Sequence, residues 1–146
     1  MNNEYMNVAL SEAKKAYLEN EVPVGAVIVK NGNIIAKTHN LKMSTNQIIN
    51  HAEILAILEA TDKINDWRLN DCEMYVTLEP CPMCAGAILQ SRIKKIYIGA
   101  KSNIKSNEKI IKEILTNNEY YHQVEIIYVD DEKCSNIISD FFCQKR

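Results

Sequence analysis

The sequence lacks the features by which membrane-spanning and secreted proteins are recognised. Its 146 residues contain no apolar run approaching the roughly 18 residues that a transmembrane helix requires. The opening residues, MNNEYMNVAL, have no basic region followed by a long apolar stretch, so they do not resemble a secretory signal. We therefore expect a soluble, cytoplasmic protein that has no membrane partner.

The number of cysteines is odd, which argues against a disulfide framework. There are five, and a reducing compartment would keep them as thiols. We expect Cys72, Cys134 and Cys143 to be partly buried small apolar residues. Cys81 and Cys84 are three positions apart, and this close pair favours metal binding or catalysis.

The chain also lacks the positive charge of a general nucleic-acid coat protein, because its formal net charge is −2. One segment departs from this average. Residues 90–112 hold a local excess of six positive charges, since Glu108 alone opposes seven basic residues: Arg92, Lys94, Lys95, Lys101, Lys105, Lys109 and Lys112. This segment is interpreted either as a solvated lysine-rich face or as a contact for nucleic-acid phosphates.

No repeat, linker or low-complexity stretch interrupts the chain, so residues 1–146 are expected to form one domain. Apolar spacing predicts helices at about 6–20, 51–60, 82–91, 107–115 and 131–142. Strands are predicted for five apolar segments: VGAVIVK, NIIAKTH, EMYVTLE, KKIYIGA and QVEIIYV.

The connections between these segments predict their pairing. Asn31-Gly32 suits a two-residue hairpin turn between the first two strands. A long connection that contains a helix separates the last two strands, which implies that they run parallel. The predicted fold is α/β, with a mixed five-stranded sheet covered by helices on both faces.

The stretch VTLEPCPMCAGAIL, residues 76–89, places Cys81 and Cys84 where a strand passes into a helix. A C-x-x-C pair is compatible with a redox dithiol, half of a structural zinc site or part of a catalytic metal site. His51 begins another helix and has Glu53 two positions later. Together His51, Cys81 and Cys84 would leave the fourth position of tetrahedral zinc open, as in catalytic sites. We expect His39 and His122 to be loop or surface residues.

HAE and PCPMC resemble the H-x-E and P-C-x-x-C signature of the zinc-dependent nucleobase and nucleoside deaminases, the cytidine/deoxycytidylate deaminase superfamily. Within that superfamily the chain is similar to the bacterial tRNA-specific adenosine deaminases over nearly its whole length. Five segments carry this similarity in order and spacing: EVPVGAVIV, HAEILAI, YVTLEPCPMCAGAI, SRIKKIYIGAK and SDFF. The resemblance implies a three-layer αβα, cytidine-deaminase-like fold.

The resemblance also implies roles for individual residues. One zinc ion per chain would be held by His51, Cys81 and Cys84, and Glu53 would move protons without binding the metal. The resemblance further implies that Asn40 hydrogen-bonds the base and that Pro80 and the backbone of Ala52 and Cys81 also contact the substrate. Phe142 would stack on a flanking nucleotide, while Phe141 would pack in the core.

The implied reaction is hydrolysis of adenosine to inosine at the wobble position of a tRNA anticodon stem-loop. The basic segment 92–112 with Lys145 and Arg146 would hold the RNA backbone. The family implies a homodimer, with residues 54–58 and 85–89 as candidate contact surfaces. Two alternatives stay open: a deaminase of a free guanine, adenine or cytosine base or nucleoside, and a non-catalytic zinc module, which the intact Glu53 argues against.

The chain departs from the family pattern in two places. Members usually carry Asp-Pro shortly before H-A-E, where this chain has Gln47 and Ile48. After the fourth strand the family typically shows G-A-x-D-x-K-x-G-A-x-G-S, whereas this chain reads GAKSNIKSNEKI, with Ser102 at the aspartate position. We expect zinc chemistry to survive both departures and RNA positioning to be the property that they affect.

Overall fold

The computed structural model describes residues 3–117, 119–120 and 122–144. Their centre is one sheet of five strands: β1 (Gly25–Lys30), β2 (Asn33–His39), β3 (Cys72–Val76), β4 (Lys95–Ile98) and β5 (Glu125–Tyr128). The strand order is β2-β1-β3-β4-β5. β1 is antiparallel to both β2 and β3, whereas β3, β4 and β5 run parallel. The predicted mixed sheet with parallel last strands is confirmed.

The helices also follow the predicted order, with one addition. Their bounds are α1 (Asn3–Leu18), α2 (Lys42–Thr45), α3 (Ala52–Ile64), α4 (Pro82–Gln90), α5 (Asn107–Thr116) and α6 (Glu132–Gln144). The short helix α2 was not predicted, and α3 continues beyond the predicted end at residue 60. In the described part of the chain, no helix combines the length and the apolar character needed to cross a membrane.

Side chains alternate between two apolar layers, as the period of two along a strand requires. Met74 and Val76 of β3 face the larger layer, to which α3, α4 and α5 contribute. Tyr75 faces the other layer beside α1, where its ring stacks on that of Tyr97 with centroids 4.3 Å apart. The sheet is therefore buried on both faces, which produces the three-layer αβα arrangement.

Two glycines meet geometric requirements of the first hairpin. Asn31 and Gly32 have φ angles of 51° and 78°, so both adopt the left-handed conformation that a type I′ turn needs. Gly25 lets α1 lie directly on β1, because an added Cβ would stand 1.9 Å from the carbonyl oxygen of Ala9. The predicted hairpin is confirmed, and α1 fixes its position.

The chain segments that contain the candidate site residues meet along one edge of the sheet, where β3 ends and β1 begins. The carboxyl end of β3 leads to the Cys81 turn, and the end of β2 lies at the same edge because Gly25 pairs with His39 and Ala26 with Val76. Lys30 pairs with Cys72 and therefore lies at the opposite edge. We refer to the first as the catalytic edge, since the predicted site residues converge there.

The surfaces predicted for a homodimer are only partly available. Ala85, Ile88 and Leu89 are buried within the chain's own core, so α4 cannot offer them to a second copy. Leu58 on α3 is 56% exposed and Met83 on α4 is also exposed. An interface on these helices would have to use such residues instead.

The cysteines outside the C-x-x-C pair differ from the expectation in degree. Cys72 and Cys134 are fully buried, and burial raises the pKa of both thiols. Cys143 is exposed near the end of α6, so its expected partial burial is wrong. The helical pattern there places it on the solvent face, opposite buried Ile138 and Phe141.

Candidate metal centre and active site

The three candidate ligands lie at the first turns of two helices. His51 is the N-cap of α3 and Cys81 is the N-cap of α4, and both have extended backbone conformations. Pro82 follows Cys81 at the start of α4, where its missing N–H group leaves no helical hydrogen bond unmade. Cys84 lies in the first turn of α4 and is buried. Helix starts favour thiolates, because the exposed amides and the helix dipole are positive there.

The donor atoms are spaced for one tetrahedral ion. Nδ1 of His51 lies 3.4 Å from Sγ of Cys84 and 3.7 Å from Sγ of Cys81. All three donor atoms lie within 4.8 Å of one another. Tetrahedral zinc, with bonds of about 2.3 Å to sulfur and about 2.0 Å to nitrogen, would hold such pairs about 3.6 Å apart. One imidazole and two thiols are zinc's preferred ligand types, so these residues fit that metal.

Within the cluster, the pKa of each thiol and of the imidazole is shifted by its neighbours. The pKa of Cys81 is lowered to about 4, chiefly because the Cys84 thiol donates a hydrogen bond to it and secondarily because of His51. The same interaction, with burial, raises the pKa of Cys84. The hydrogen bond to Cys81 likewise raises the pKa of His51. A divalent cation would displace these protons, because metal ligands bind in their deprotonated forms.

Glu53 lies in the first turn of α3, next to the cluster but outside the donor set. It is only 4% exposed, and this burial raises its pKa to about 7. Hydrogen bonding of the carboxylate to the backbone acts in the opposite direction and is the smaller effect. A carboxyl group with a pKa near neutrality can both accept and donate a proton at physiological pH.

A cavity of about 170 Å³ opens beside the cluster. Its walls come from four segments of the catalytic edge, with the lining residues Val22, Val24, Asn40, Lys42, His51, Glu53, Leu78, Glu79 and Cys81. Asn40 is 6% exposed, and its Oδ1 has no hydrogen-bond partner among the described residues. An unpaired buried polar atom costs about 1–3 kcal/mol. This oxygen is therefore available to a ligand that enters the cavity.

Of the other predicted substrate residues, Cys81 lines the cavity, whereas Ala52, Pro80 and Phe142 are not among the described residues that line it. Ala52 is buried, and its carbonyl accepts a hydrogen bond from Thr38 Oγ1 at 2.7 Å. The carbonyl of Pro80 accepts one from Asn107 at 3.0 Å. Phe142 on α6 is 46% exposed. Phe141 is buried, as expected.

Sequence reasoning missed two charged residues of the cavity wall. Glu79 is 5% exposed and directly precedes Pro80, so its position within TLEPC could have indicated it. Lys42 begins α2, and the carboxylate of buried Glu21 accepts hydrogen bonds from the backbone N–H groups of Met43 and Ser44 in that helix. No local pattern indicates Lys42, because Glu21 fixes α2 from a distant part of the sequence.

The two remaining histidines are held away from the metal cluster by their own partners. Nδ1 of His39 lies 3.0 Å from Glu12 and Nε2 lies 2.8 Å from Glu19. His39 ends β2 and its side chain is largely buried, so the loop or surface prediction is wrong for it. His122 lies in a loop, as predicted, with Nε2 2.8 Å from the carbonyl of Ile93.

The basic segment 90–112 divides between the two edges of the sheet. Lys101 and Lys105 lie in the loop after β4, at the catalytic edge, and Lys109 lies in the first turn of α5. Lys94 and Lys112 line a groove of about 660 Å³ between α5 and β5, together with Glu108 and Glu125. The segment is thus not one continuous basic face.

Fold and cluster together define a class of hydrolases. The cytidine and deoxycytidylate deaminase zinc-binding region matches residues 1–100. The chain belongs to this deaminase family, whose members hydrolyse amino groups, and the His/Cys/Cys cluster supplies the zinc-binding side chains that the family description implies.

Within that family, the chain is similar to adenosine and guanine deaminases. The chain is 44% identical to the tRNA-specific adenosine deaminase of Bacillus subtilis (strain 168), over 97% of this chain and 89% of that one. A solved structure from a study of A-to-I editing by tRNA:A34 deaminases at the wobble position of transfer RNA superposes with a TM-score of 0.83. It is 33% identical, over 93% of this chain and 99% of that one. A guanine deaminase from Bacillus subtilis is 31% identical with a TM-score of 0.68, over 99% of this chain and 94% of that one.

Proposed function

We propose that this enzyme hydrolyses adenosine to inosine at the wobble position of a tRNA anticodon. The observation that carries the proposal is that buried Glu53, the unpaired Asn40 oxygen and two members of the His/Cys/Cys cluster, His51 and Cys81, line one small cavity. The named activity of the 44% identical Bacillus subtilis relative supports the choice of substrate.

One zinc ion per chain is bound by His51, Cys81 and Cys84 in this proposal. The spacing of the donor atoms and the three-ligand count support a catalytic rather than a closed structural site. When bound, zinc supplies the Lewis acidity that makes hydroxide available from water near neutral pH.

Glu53 moves the protons that the hydrolysis requires. Adenosine and water become inosine and ammonia, so the water gives up two protons: one ends on the ring nitrogen next to the attacked carbon and the other on the departing amine. A single carboxyl group can accept and then donate each of these protons in turn, provided that its pKa lies near the working pH. Burial raises the pKa of Glu53 towards this range.

The remaining predicted residues bind the substrate in this proposal. Asn40 accepts a hydrogen bond from the base, which its unpaired buried oxygen supports. The backbone of Ala52 and Cys81 and the ring of Pro80 border the entering base, although neither Ala52 nor Pro80 lines the cavity. The exposed ring of Phe142 stacks a flanking nucleotide.

The size of the cavity favours a base presented in a single-stranded loop. A cavity of about 170 Å³ admits a base only after it has left its stack. Unstacking is easiest in a loop, where no pairing has to be broken. Lys101, Lys105 and Lys109 at the catalytic edge contact the RNA backbone, and Lys145 and Arg146, which were predicted to do the same, lie outside the described residues.

Product analysis of the purified protein tests the proposed substrate. The substrates are an anticodon stem-loop with adenosine at the wobble position, free adenosine, adenine, guanine and cytosine. We expect inosine in the stem-loop and little turnover of the free compounds. Guanine turnover without stem-loop deamination would favour the alternative that the 31% identical guanine deaminase represents.

We further propose a cytoplasmic homodimer that uses the exposed apolar residues of α3 and α4. Leu58 and Met83 are the candidate contacts. Light scattering at micromolar concentration should give twice the chain mass of 16.7 kDa. Leu58→Glu with Met83→Glu should give the monomer mass, whereas Leu18→Glu, at an exposed position on α1, should not. A wild-type monomer would contradict the proposal.

A further inference from the structure

A buried polar network connects the start of α5 to the turn that carries Cys81. Asn107 Nδ2 donates to Glu79 Oε1 at 2.8 Å and to the carbonyl oxygen of Pro80 at 3.0 Å. The hydroxyl of Tyr128 donates to the other Glu79 oxygen at 2.6 Å. Asn107 and Glu79 are buried and Tyr128 is half-buried, so water cannot readily replace these partners.

Asn107 uses the full donor capacity of its amide in this network. The NH₂ group has two hydrogens, one for Glu79 and one for the Pro80 carbonyl. That carbonyl belongs to the peptide bond whose nitrogen is Cys81. Proline has no N–H group, so this carbonyl is the polar backbone group that Pro80 can use for anchoring. Asn107 therefore fixes the peptide plane immediately before a candidate metal ligand.

Asn107 is the first residue of α5 and follows a mostly exposed loop, residues 101–106. In this chain a side chain from α5 thus reaches across to the Cys81 turn over a separation of 27 residues.

We propose that Asn107 is a positioning residue for Cys81, acting through the Pro80 carbonyl, so that the first residue of α5 helps to set the geometry of the metal centre. The proposal depends on the ligand assignment made above. Residues that orient metal ligands indirectly typically change metal affinity or activity about 10–100-fold when replaced. Loss of the Asn107 contact frees the Cys81 peptide and leaves two buried acceptors without their donor.

Three variants separate the Pro80 contact from the rest of the network. Asn107→Ala removes both hydrogen bonds. Asn107→Asp combined with Glu79→Gln keeps the shape and a hydrogen bond between these two side chains but removes the donor to Pro80. Tyr128→Phe is the matched control, because it removes a hydrogen bond to the same Glu79 carboxylate and leaves the Pro80 contact in place.

The readouts are the rate of zinc release to a chelator and the visible absorption spectrum of the cobalt-substituted protein. We expect zinc release to be about tenfold faster or more in Asn107→Ala and in the double variant, with a changed cobalt spectrum. Tyr128→Phe should stay within about twofold of wild type on the same scale. Wild-type release rates and spectra in the double variant would overturn the proposal, even if Asn107→Ala fails to fold.

Both readouts are made without RNA. Their outcome is therefore independent of whether the proposed tRNA substrate is correct. If the proposal holds, kcat for a deamination substrate should also fall in Asn107→Ala while KM stays near its wild-type value, since Asn107 is not among the described residues that line the substrate cavity.

Discussion

The catalytic edge contains two regions that differ in almost every physical respect. The metal cluster and Glu53 lie in the first turns of helices packed against the sheet, and Cys84 and Glu53 are buried. The rim, residues 41–50 and 101–106, has mostly exposed side chains, and Ile48 is 74% exposed. In the proposed function, the best-packed part of the site therefore carries the chemistry and the least-packed part controls access to it.

The same division separates the family signature from the departures. HAE and PCPMC are intact in the cluster, whereas Gln47, Ile48 and Ser102 all lie in the rim. Changes in exposed loops cost little stability, and loops of this kind commonly determine binding. The comparison predicts that cluster variants lose metal or chemistry, while rim variants lose RNA affinity.

Replacing Cys84 should have the largest effect, because it removes one of three ligands. Cys84→Ala is expected to lose most of its zinc and to have no detectable deaminase activity. Metal analysis of the purified variant measures this loss. Cys143→Ala, at an exposed cysteine of α6, is the matched control and should retain wild-type zinc. Undiminished zinc in Cys84→Ala would mean that the ligands are misassigned.

Glu53→Gln should have the next largest effect and should separate chemistry from metal binding. General acid–base catalysis typically contributes about 10²- to 10⁴-fold, so kcat should fall by that range while zinc stays bound. Turnover and zinc content are measured on the same preparation. Near-wild-type turnover at full zinc occupancy would remove Glu53 from the proton-transfer role.

Changing the lysines of the rim and of the adjacent first turn of α5 should have a smaller effect, confined to RNA binding. In the rim triple variant, Lys101, Lys105 and Lys109 are replaced together by Ala. This variant should weaken stem-loop binding and reduce its salt dependence, by a log–log slope of about 0.7 for each lost phosphate contact to single-stranded RNA. Lys101 is paired with Glu108, so the triple variant should lose fewer than three full contacts.

The control for this variant removes the same charge elsewhere. It combines Lys30→Ala, at the opposite edge of the sheet, with Lys94→Ala and Lys112→Ala, in the groove between α5 and β5. These changes lower the net charge by three units, as the first triple variant does, but away from the catalytic edge. This variant should keep the wild-type salt slope. Equal slopes for the two triple variants would show that the RNA responds to total charge rather than to the rim.

The cluster could be predicted from the sequence because its residues lie in recognisable local sequence patterns. His51 and Cys81 stand at the starts of apolar-periodic helices, and few chemistries use that combination of residue types. Asn31-Gly32 reveals its hairpin in the same way, since the turn requires two residues that tolerate positive φ.

The rest depends on contacts between distant residues, which leave no local pattern. α2 has only four residues, and Glu21 fixes it from outside. Glu79 is held by residues 28 and 49 positions away, so its burial follows from the sheet order β3-β4-β5. The division of the lysine run between two edges is likewise a consequence of topology.

The central claim, that the cluster performs the chemistry and the rim holds the RNA, is tested most directly by single-turnover kinetics on the anticodon stem-loop. The saturating rate constant and the dissociation constant are measured for wild type, Glu53→Gln and the rim triple variant. We predict that Glu53→Gln lowers only the rate constant and that the triple variant raises only the dissociation constant. A triple variant that binds RNA normally but deaminates it slowly would contradict the account.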